Sequence, residues 1–346
     1  MSNHINPRFQ KGLKKRKSLS SKQILKDLFN QDKVALSQSI TMIESEQPRH
    51  QNIVDELITA CLPKSGNSLR IGITGVPGVG KSTFIESFGK HLISLGKNVA
   101  VLAVDPSSSI SKGSILGDKT RMQALVTENN AFIRPTASGS SLGGVARKTR
   151  ESIILCEAAG YDVILVETVG VGQSETAVHS MTDFFLLLKL AGAGDQLQGI
   201  KRGIIEMADA ILINKADGEN LRAAQKAKME FQKALHLYPE KESTWSPKVK
   251  CISALNEKGI VRVWEMMMEY KKITSSNGYF KKNRFNQQKF WLFDSLNQKL
   301  KNNFYQNPKL KLELEQKLKQ IEGQKMSSFR AADELYNYYL KGLKAK

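Results

Sequence analysis

A glycine-rich stretch between an apolar run and a helical pattern constrains the fold of this chain more than any other feature. The stretch, Gly75–Thr83, fits the pattern G-x-x-x-x-G-K-S/T. Leu69–Thr74 before it is typical of a short buried strand, and apolar residues at helical spacing follow from Phe84 to Leu95. A strand, a glycine loop and a helix in this order bring several backbone N–H groups around one anion. The pattern therefore predicts a phosphate-binding loop at the head of a helix.

The residue types in this loop suit a nucleoside triphosphate. Its glycines let the backbone adopt positive φ angles and approach phosphates closely. Lys81 is expected to reach the β- and γ-phosphates, and the Ser82 hydroxyl to ligate Mg²⁺. The predicted phosphate-binding residues are Gly75, Val76, Pro77, Gly78, Val79, Gly80, Lys81, Ser82 and Thr83.

Apolar runs alternate with helical patterns from residue 69 to about residue 270. Near-continuous apolar runs are typical of strands covered on both faces, as in a mostly parallel sheet. We therefore predict a doubly wound α/β core whose ligands lie beyond the carboxyl ends of its strands. The predicted strands are Leu69–Thr74, Val99–Val104, Ala131–Ile133, Val163–Val166, Ala210–Ile213 and Lys248–Ile252.

The regions outside this core differ from it in composition. Residues 1–20 are basic and poor in apolar residues, which predicts a disordered arm. Residues 21–65 show helical spacing and predict a helical lead-in to a nucleotide domain over 66–270. Residues 271–346 carry Leu, Phe and Tyr at helical spacing, which predicts a helical region that needs a partner surface.

The net charge of +19 arises at the two ends of the chain. Residues 1–26 hold eight Lys and Arg and no acid, and residues 271–346 hold seventeen against six acids, whereas the middle is neutral. No nucleic-acid-binding motif accompanies this charge, so we favour solvated helix faces over a nucleic-acid site.

The chain shows no sequence signal for a membrane or for an oxidising compartment. The three cysteines lie far apart in sequence, without metal-binding spacing or a disulfide framework. No apolar run reaches the roughly 20 residues that span a bilayer. These features predict a cytoplasmic protein without membrane insertion.

A second motif, Asn214–Asp217, follows an apolar strand and matches the guanine-specifying pattern N-K-x-D. Guanine offers N1–H and N2–H₂ donors, which the Asp217 carboxylate can accept together, whereas adenine offers an acceptor at N1. Asn214 is expected to tie the base loop to the phosphate loop, and the stem of Lys215 to pack on the base. The predicted base-pocket residues are Asn214, Lys215, Asp217, Ser253, Ala254 and Leu255, the last three acting through their backbone.

Two acids at strand ends are candidates for metal and water chemistry. Glu167 stands where many GTPases carry the aspartate of D-x-x-G, and Asp105 ends another apolar strand. Together they could hold Mg²⁺ through waters and orient the attacking water, unless one of them only caps its strand. With Lys81 they form the predicted catalytic group.

These motifs occur in order with four longer stretches, and together they resemble the methylmalonyl-CoA mutase-associated GTPase chaperones. The resemblance covers roughly residues 25 to 340, and some members were once labelled ATPases of a lysine/arginine/ornithine transport system. The stretches are Val104–Ser108, Gly117–Met122, Val166–Glu175 and Ala191–Lys201.

The resemblance implies a GTPase of the signal-recognition-particle class that forms a homodimer through its C-terminal helices. Its implied partner is an adenosylcobalamin-dependent acyl-CoA mutase. GTP binding and hydrolysis are implied to gate the loading of the cofactor into this mutase and the protection of the mutase. The implied metal-proximal acids are Asp105, Asp118 and Glu167, which join Ser82 in the predicted metal site. A mobile segment over 192–201 is implied to couple nucleotide state to the partner, although it could be a plain surface loop between two helices. Its implied coupling residues are Gly192, Gly194, Asp195, Gly199 and Lys201.

Two other functions remain open on the sequence. A metal-insertion GTPase for another metalloenzyme would be expected to carry a His- or Cys-rich stretch, and five scattered His and three Cys disfavour it. A transport-associated ATPase or kinase is disfavoured by the carboxylate of Asp217, which would repel adenine. No arginine finger is evident, so we expect slow intrinsic hydrolysis that a partner accelerates.

Overall fold

The described part of the chain contains seven strands and thirteen α-helices. The structure is a computed structural model, and it describes residues 20–45, 47–104, 122–135, 142–168, 174–192 and 202–344. The strands are β1 Leu69–Gly75, β2 Val99–Val104, β3 Ala131–Pro135, β4 Val163–Thr168, β5 Phe184–Leu190, β6 Ala210–Asn214 and β7 Lys248–Cys251. The helices are α1 Ser21–Phe29, α2 Lys33–Glu44, α3 Pro48–Cys61, α4 Lys81–Ser94, α5 Gln123–Thr127, α6 Leu142–Ala158, α7 Ser174–His179, α8 Arg202–Met207, α9 Leu221–Leu235, α10 Ile260–Ser276, α11 Tyr279–Tyr305, α12 Pro308–Glu322 and α13 Ser328–Lys344.

The seven strands form one parallel sheet in the order β3-β2-β4-β1-β5-β6-β7. β1 lies at the centre, where Leu69 aligns with Val163 of β4 on one side and Ile71 with Phe184 of β5 on the other. Because all strands run the same way, their carboxyl ends meet at one edge of the sheet. The strand order reverses around β1, and such reversal points form the ligand crevice in open α/β sheets.

The predicted doubly wound fold is confirmed, but β5 was missing from the six predicted strands. Its sequence, Phe-Phe-Leu-Leu-Leu-Lys-Leu, is strongly apolar yet contains no β-branched residue. Leucine is among the best helix formers, so a short run of this kind does not distinguish a buried strand from a buried helix.

Helices cover both faces of the sheet. On one face α4, α5 and α10 enclose an apolar cluster that includes Phe84, Phe88 and Met267. Trp245 completes this cluster and donates from its indole Nε1 to the Asp209 carbonyl oxygen across 2.9 Å. On the other face α8 and α9 pack against β5, β6 and β7.

The N-terminal helices form the predicted helical lead-in and attach to the core. α1, α2 and α3 pack against one another, and α2 and α3 also pack against α6. Arg134 at the end of β3 binds the Glu44 carboxylate of α2 across 2.5 Å, and Lys148 of α6 donates to the Glu44 carbonyl oxygen. Residues 1–19, nearly all of the predicted disordered arm, lie outside the described residues.

A buried network of charged residues lies at the amino ends of β1 and β5. The Arg70 guanidinium donates twice to Glu157, 2.9 Å for each bond, and the Arg284 guanidinium donates twice to Asp183 across 2.7 Å. The Ser68 hydroxyl donates to Glu157 as well. Burial alone would raise the pKa of Glu157, but these hydrogen bonds and the charges of the two arginines outweigh it and hold that pKa below its ordinary value.

The chain divides into two compact units that adjoin in sequence at Phe285 and Asn286. In the second unit α12 and α13 pack together, and Lys317 of α12 binds Glu334 of α13 across 2.5 Å. Along α11 three leucines four residues apart, Leu292, Leu296 and Leu300, are each about half exposed or more. Among the described residues, no helix combines the length and apolar composition needed to cross a membrane.

Candidate nucleotide site

The loop between β1 and α4 adopts a backbone that only glycine tolerates at its critical positions. Gly80 has a φ of +93°, and a Cβ on it would lie 2.6 Å from the amide nitrogen of Asn214. Gly75 has a φ of +155°, and a Cβ there would lie 2.6 Å from the Leu188 carbonyl oxygen. Gly78 also has a positive φ, +78°, but no atom lies within 4 Å of its added Cβ. The loop is therefore held tightly against β5 and β6 at both of its ends.

The amino end of α4 carries no side-chain cap. Gly80 occupies the capping position, and its carbonyl oxygen accepts the first helical bond, from Phe84 N across 2.9 Å. The opening N–H groups of a helix have no partner within it and carry a partial positive charge. Lys81 adds a full charge at this point, where its Nζ donates to the Gly75 carbonyl oxygen across 2.9 Å. Such an end can hold an anion.

Asn214 joins this loop to the loop that follows β7. The residue is buried at the end of β6, where its Nδ2 donates to the Val79 carbonyl oxygen across 2.8 Å. Its Oδ1 accepts from the Ala254 N–H across 3.1 Å. One side chain thus fixes the distance between the anion-binding loop and the two loops at the carboxyl ends of β6 and β7.

The Asp217 carboxylate is held in place by the loop after β7. The Ser253 hydroxyl donates to its Oδ2, and the Asn256 side chain donates to the same oxygen across 3.2 Å. Both bonds use Oδ2. Asn256 was missed at the sequence level, although its position three residues after Ser253 places it in the turn that carries the predicted pocket residues.

Lys215 and Leu255, two further residues of the predicted base pocket, have exposed side chains. Lys215 has a left-handed backbone with a φ of +58°, and its carbonyl oxygen accepts from the side chain of Asn220 across 2.7 Å. Leu255 is 80% exposed. Ser253 and Ala254, by contrast, are buried, and Ala254 contributes its backbone N–H to Asn214.

Glu167 lies near the end of β4, beside β1 and β2. It aligns with Ile73 on one side and with Ala103 on the other, and only 3% of it is exposed. Next to it, the Thr168 hydroxyl donates to the Thr74 hydroxyl across 3.0 Å, which ties the ends of β4 and β1.

Oxygen donors at this edge suit a hard divalent cation. Ser82 is half-buried in the first turn of α4, and Glu167 lies one residue before the end of β4, next to the strand that leads into α4. A hydroxyl and a carboxylate are the ligand types that Mg²⁺ accepts beside phosphate oxygens and water. Among the described residues no group of three His, Cys, Asp or Glu side chains could hold a metal by itself. The other two predicted acids, Asp105 and Asp118, lie outside the described residues.

The predicted coupling segment begins directly after β5. Gly192 closes a turn with a φ of +82°. A strand, β5, precedes the segment, and α8 begins after it. Four of the predicted coupling residues lie outside the described residues, namely Gly194, Asp195, Gly199 and Lys201.

Lys189 of β5 is a buried cation that the sequence analysis missed. It aligns with Ile213, the residue before Asn214, and its Nζ lies 5.8 Å from the centre of the Phe231 ring. Burial lowers the pKa of Lys189 to about 8. The single charge in an otherwise apolar run was the signal that could have marked it.

Comparison with known proteins places these features in a family. Residues 36–309 match the family model described as Methylmalonyl Co-A mutase-associated GTPase MeaB. The chain is 48% identical over 291 residues to "Probable GTPase Mb1533" of Mycobacterium bovis, which covers 83% of this chain and 87% of the relative. It is 47% identical over 276 residues to "GTPase ArgK" of Escherichia coli. This alignment covers 80% of this chain and 83% of the relative.

A mammalian relative and a solved structure agree with this match. The chain is 42% identical over 313 residues to "Methylmalonic aciduria type A homolog, mitochondrial" of Mus musculus, covering 88% of this chain and 75% of the relative. The crystal structure described as "LAO/AO transport system kinase" superposes with a TM-score of 0.76 at 37% identity. The superposition covers 93% of this chain and 98% of that one.

Proposed function

The chain belongs to the family of methylmalonyl-CoA mutase-associated GTPases, and we propose that its GTP hydrolysis gates cofactor loading and protection of an adenosylcobalamin-dependent acyl-CoA mutase. The observation that carries the nucleotide part of this proposal is the double hydrogen bond of Asn214. It connects a phosphate-type loop to the loop after β7, which in turn positions the Asp217 carboxylate. A guanine nucleotide needs both of these at a fixed separation.

The base-reading role falls to Asp217. Ser253 and Asn256 both bind its Oδ2, so neither of these bonds occupies Oδ1. A carboxylate held in this way can accept from N1–H and N2–H₂ of guanine, and both bonds are charge-assisted. Adenine has an acceptor at N1, so the same carboxylate would repel it.

The phosphate-binding role falls to the loop and to the first turn of α4. The N–H groups of the uncapped helix end would donate to phosphate oxygens. The Lys81 ammonium, which donates to the Gly75 carbonyl oxygen, would move from that oxygen to the β- and γ-phosphates. The exchange of a neutral acceptor for an anionic one strengthens its hydrogen bond.

Four residues would hold Mg²⁺. Ser82 and Glu167 are described in the structure, and Asp105 and Asp118 lie outside the described residues. The bound ion would supply neutralisation of the charge on the β- and γ-phosphates. Glu167 would further accept a hydrogen bond from the attacking water and orient it. Because Glu167 is almost fully buried, its field is screened by little solvent, which suits a positioning role.

We propose that the chain acts as a homodimer joined through its C-terminal helices. Leu292, Leu296 and Leu300 lie on one face of α11 and are exposed, and α12 and α13 expose further large apolar residues such as Leu312 and Phe329. Contiguous exposed apolar residues on soluble proteins commonly mark an interface. Light scattering of the full chain and of a chain ending at Phe285 tests this proposal. A monomeric full-length protein would contradict it.

The segment 192–201 would carry the nucleotide state to the mutase. The decisive experiment measures the GTPase rate with and without a purified adenosylcobalamin-dependent methylmalonyl-CoA mutase, for the natural chain and for Lys201→Ala. We expect the mutase to accelerate hydrolysis by the natural chain, and the variant to lose this acceleration while its GDP affinity stays unchanged. Unchanged acceleration in Lys201→Ala would remove that residue from the coupling. No acceleration of the natural chain would contradict the proposed partner.

A further inference from the structure

The loop after β7 forms a closed turn over residues 253–258. Ser253 and Lys258 pair as an isolated antiparallel bridge: the Ser253 N–H donates to the Lys258 carbonyl oxygen across 3.1 Å, and the Lys258 N–H donates back across 3.0 Å. Inside this turn Glu257 has a left-handed backbone with a φ of +54°, and its N–H donates to the Ala254 carbonyl oxygen across 3.4 Å. The backbone of the turn is therefore fixed by its own hydrogen bonds.

Packing contributes little to the position of the tip of this turn. Leu255 is 80% exposed, and Asn256, Glu257 and Lys258 are exposed as well. A cavity of about 430 Å³ lies beside the turn, and its lining includes Ser253 and Lys258. Because the tip is open to solvent and borders a cavity, hydrogen bonds rather than packing place its polar side chains.

Asn256 acts on the predicted base-reading carboxylate in two ways. Its side-chain amide donates to Oδ2 of Asp217 across 3.2 Å. Its backbone N–H donates to the Ser253 hydroxyl oxygen across 3.3 Å, and that hydroxyl donates in turn to the same Oδ2. A hydroxyl oxygen that accepts from a backbone N–H must point its own hydrogen elsewhere, which here is toward Asp217. One residue thus directs two donors onto a single carboxylate oxygen.

Two donors on one oxygen fix the plane of the Asp217 carboxylate. A carboxylate held by one bond can turn about its Cβ–Cγ bond, whereas a second donor from another residue opposes this rotation. Hydrogen bonds to a carboxylate are strong, and they weaken steeply when they are bent. The plane of the carboxylate therefore matters most to a base that presents two donors side by side, because a single donor can follow a turning oxygen.

We infer that Asn256 is a positioning residue that sets the selectivity of the site for guanine over hypoxanthine. This inference rests on the proposed guanine-reading role of Asp217. Guanine presents N1–H and N2–H₂ together, whereas hypoxanthine lacks the amino group and presents N1–H alone. When the carboxylate plane is already fixed, the second bond of guanine costs no further ordering. Without Asn256 that ordering cost falls on guanine binding, so the difference between the two affinities shrinks.

The test measures Kd for GDP and for inosine diphosphate by displacement of a fluorescent GDP analogue from the full chain. Both nucleotides carry the same phosphates, so the ratio of Kd for inosine diphosphate to Kd for GDP reports the base contact alone. We expect Asn256→Asp to lower this ratio about fivefold. Aspartate keeps the shape and turn preference of asparagine, but it loses the donor and places a like charge beside Asp217. Asn256→Ala should lower the ratio as well, by a smaller factor, because it adds no repulsion.

Lys258→Ala is the matched control in the same turn. Lys258 holds the bridge through its backbone, which alanine retains, and its side chain is exposed. Loss of its charge acts on both nucleotides alike, so the ratio should stay at the natural value. Thermal unfolding and retained binding of inosine diphosphate verify that the three variants fold.

Two outcomes separate this inference from the proposed function beneath it. A natural ratio in both Asn256 variants, or an equal fall of the ratio in Lys258→Ala, would overturn the positioning role and leave the base assignment of Asp217 intact. Equal affinities of the natural chain for GDP and inosine diphosphate would overturn the base assignment, and the inference with it.

Discussion

The side-chain amide of Asn214 lies 2.8 Å from the Val79 carbonyl oxygen and 3.1 Å from the Ala254 N–H, so this residue sets the spacing between two loops. Replacing Asn214 by Ala would leave a buried carbonyl and a buried N–H without partners. We expect the free energy of unfolding to fall by about 1–3 kcal/mol. GDP and GTP affinity should fall together, because the phosphate loop and the base loop lose their common support. Urea unfolding and titration calorimetry measure the two effects.

The matched control for this variant is Asn220→Ala. Asn220 also donates from its side chain to a carbonyl oxygen, that of Lys215, but at an exposed position. Its loss should cost less stability and leave GDP affinity almost unchanged. If both variants lose the same affinity, the link between the loops is not what supports the nucleotide.

Gly80→Ala should be far more damaging than Gly78→Ala. Both positions have a positive φ, so each alanine costs about 1–2 kcal/mol of backbone strain. At Gly80 the added Cβ also meets the Asn214 amide at 2.6 Å, whereas at Gly78 it meets nothing. We expect Gly80→Ala alone to abolish measurable GDP binding at micromolar protein. Equal GDP affinities of the two variants would contradict the role of the Gly80–Asn214 contact.

Asp217→Asn should change which base is bound. An amide can donate to the carbonyl that xanthine carries where guanine carries its amino group, so the variant should prefer xanthosine diphosphate over GDP. Competition against labelled GDP, with GTP, ATP and xanthosine diphosphate as competitors, measures the preference. For the natural chain, equally effective competition by ATP and GTP would refute the base assignment.

Glu167→Gln should slow hydrolysis by about 10²-fold or more while GDP binding remains near that of the natural chain. The glutamine keeps the size of the side chain but removes the charge that would orient water. Lys81→Ala serves as the contrasting variant, because it should abolish productive nucleotide binding itself. Single-turnover hydrolysis separates the two effects. Hydrolysis by Glu167→Gln at the natural rate would transfer the role to Asp105 or Asp118.

Glu157→Gln should destabilise the fold by about 3 kcal/mol at neutral pH, because Arg70 would be left buried without an anionic partner. The folded-state pKa of Glu157 lies below its ordinary value of 4.5. Its stabilising contribution is therefore complete above pH 4.5 and is lost as the pH falls through the lowered pKa. Thermal unfolding between pH 7 and pH 3 should show the variant losing less stability than the natural chain.

Glu151→Gln is the control for this measurement. Glu151 pairs with Arg147 on the same helix, but that arginine is nearly half exposed. Loss of this ion pair should therefore lower the free energy of unfolding by less than about 0.5 kcal/mol. Parallel acid profiles of the natural chain and Glu157→Gln would show that the buried network does not govern acid unfolding.

Much of the core could be predicted because the spacing of its apolar residues and glycines follows directly from local backbone geometry. The phosphate loop follows a pattern in which glycine, lysine and serine each have one physical role, and the flanking apolar periods fix the strand and the helix. β5 was missed because leucine and phenylalanine suit a buried helix as well as a buried strand. Asn256 and Lys189 were missed for another reason: their roles depend on contacts with residues far away in sequence, which periodicity does not reveal.

The central position of β1 has a consequence for synthesis of the chain on the ribosome. Its partners begin at Val163 and Phe184, so the strand that leads into the phosphate loop has no neighbour until about a hundred further residues have been made. At about 5–20 residues per second, this wait lasts about 5–20 seconds. During that time an apolar strand edge is open to chaperones and to other nascent chains, and no nucleotide can yet help to hold it. GTP can assist only the late steps of folding in this protein, after β6 has brought Asn214 to the loop.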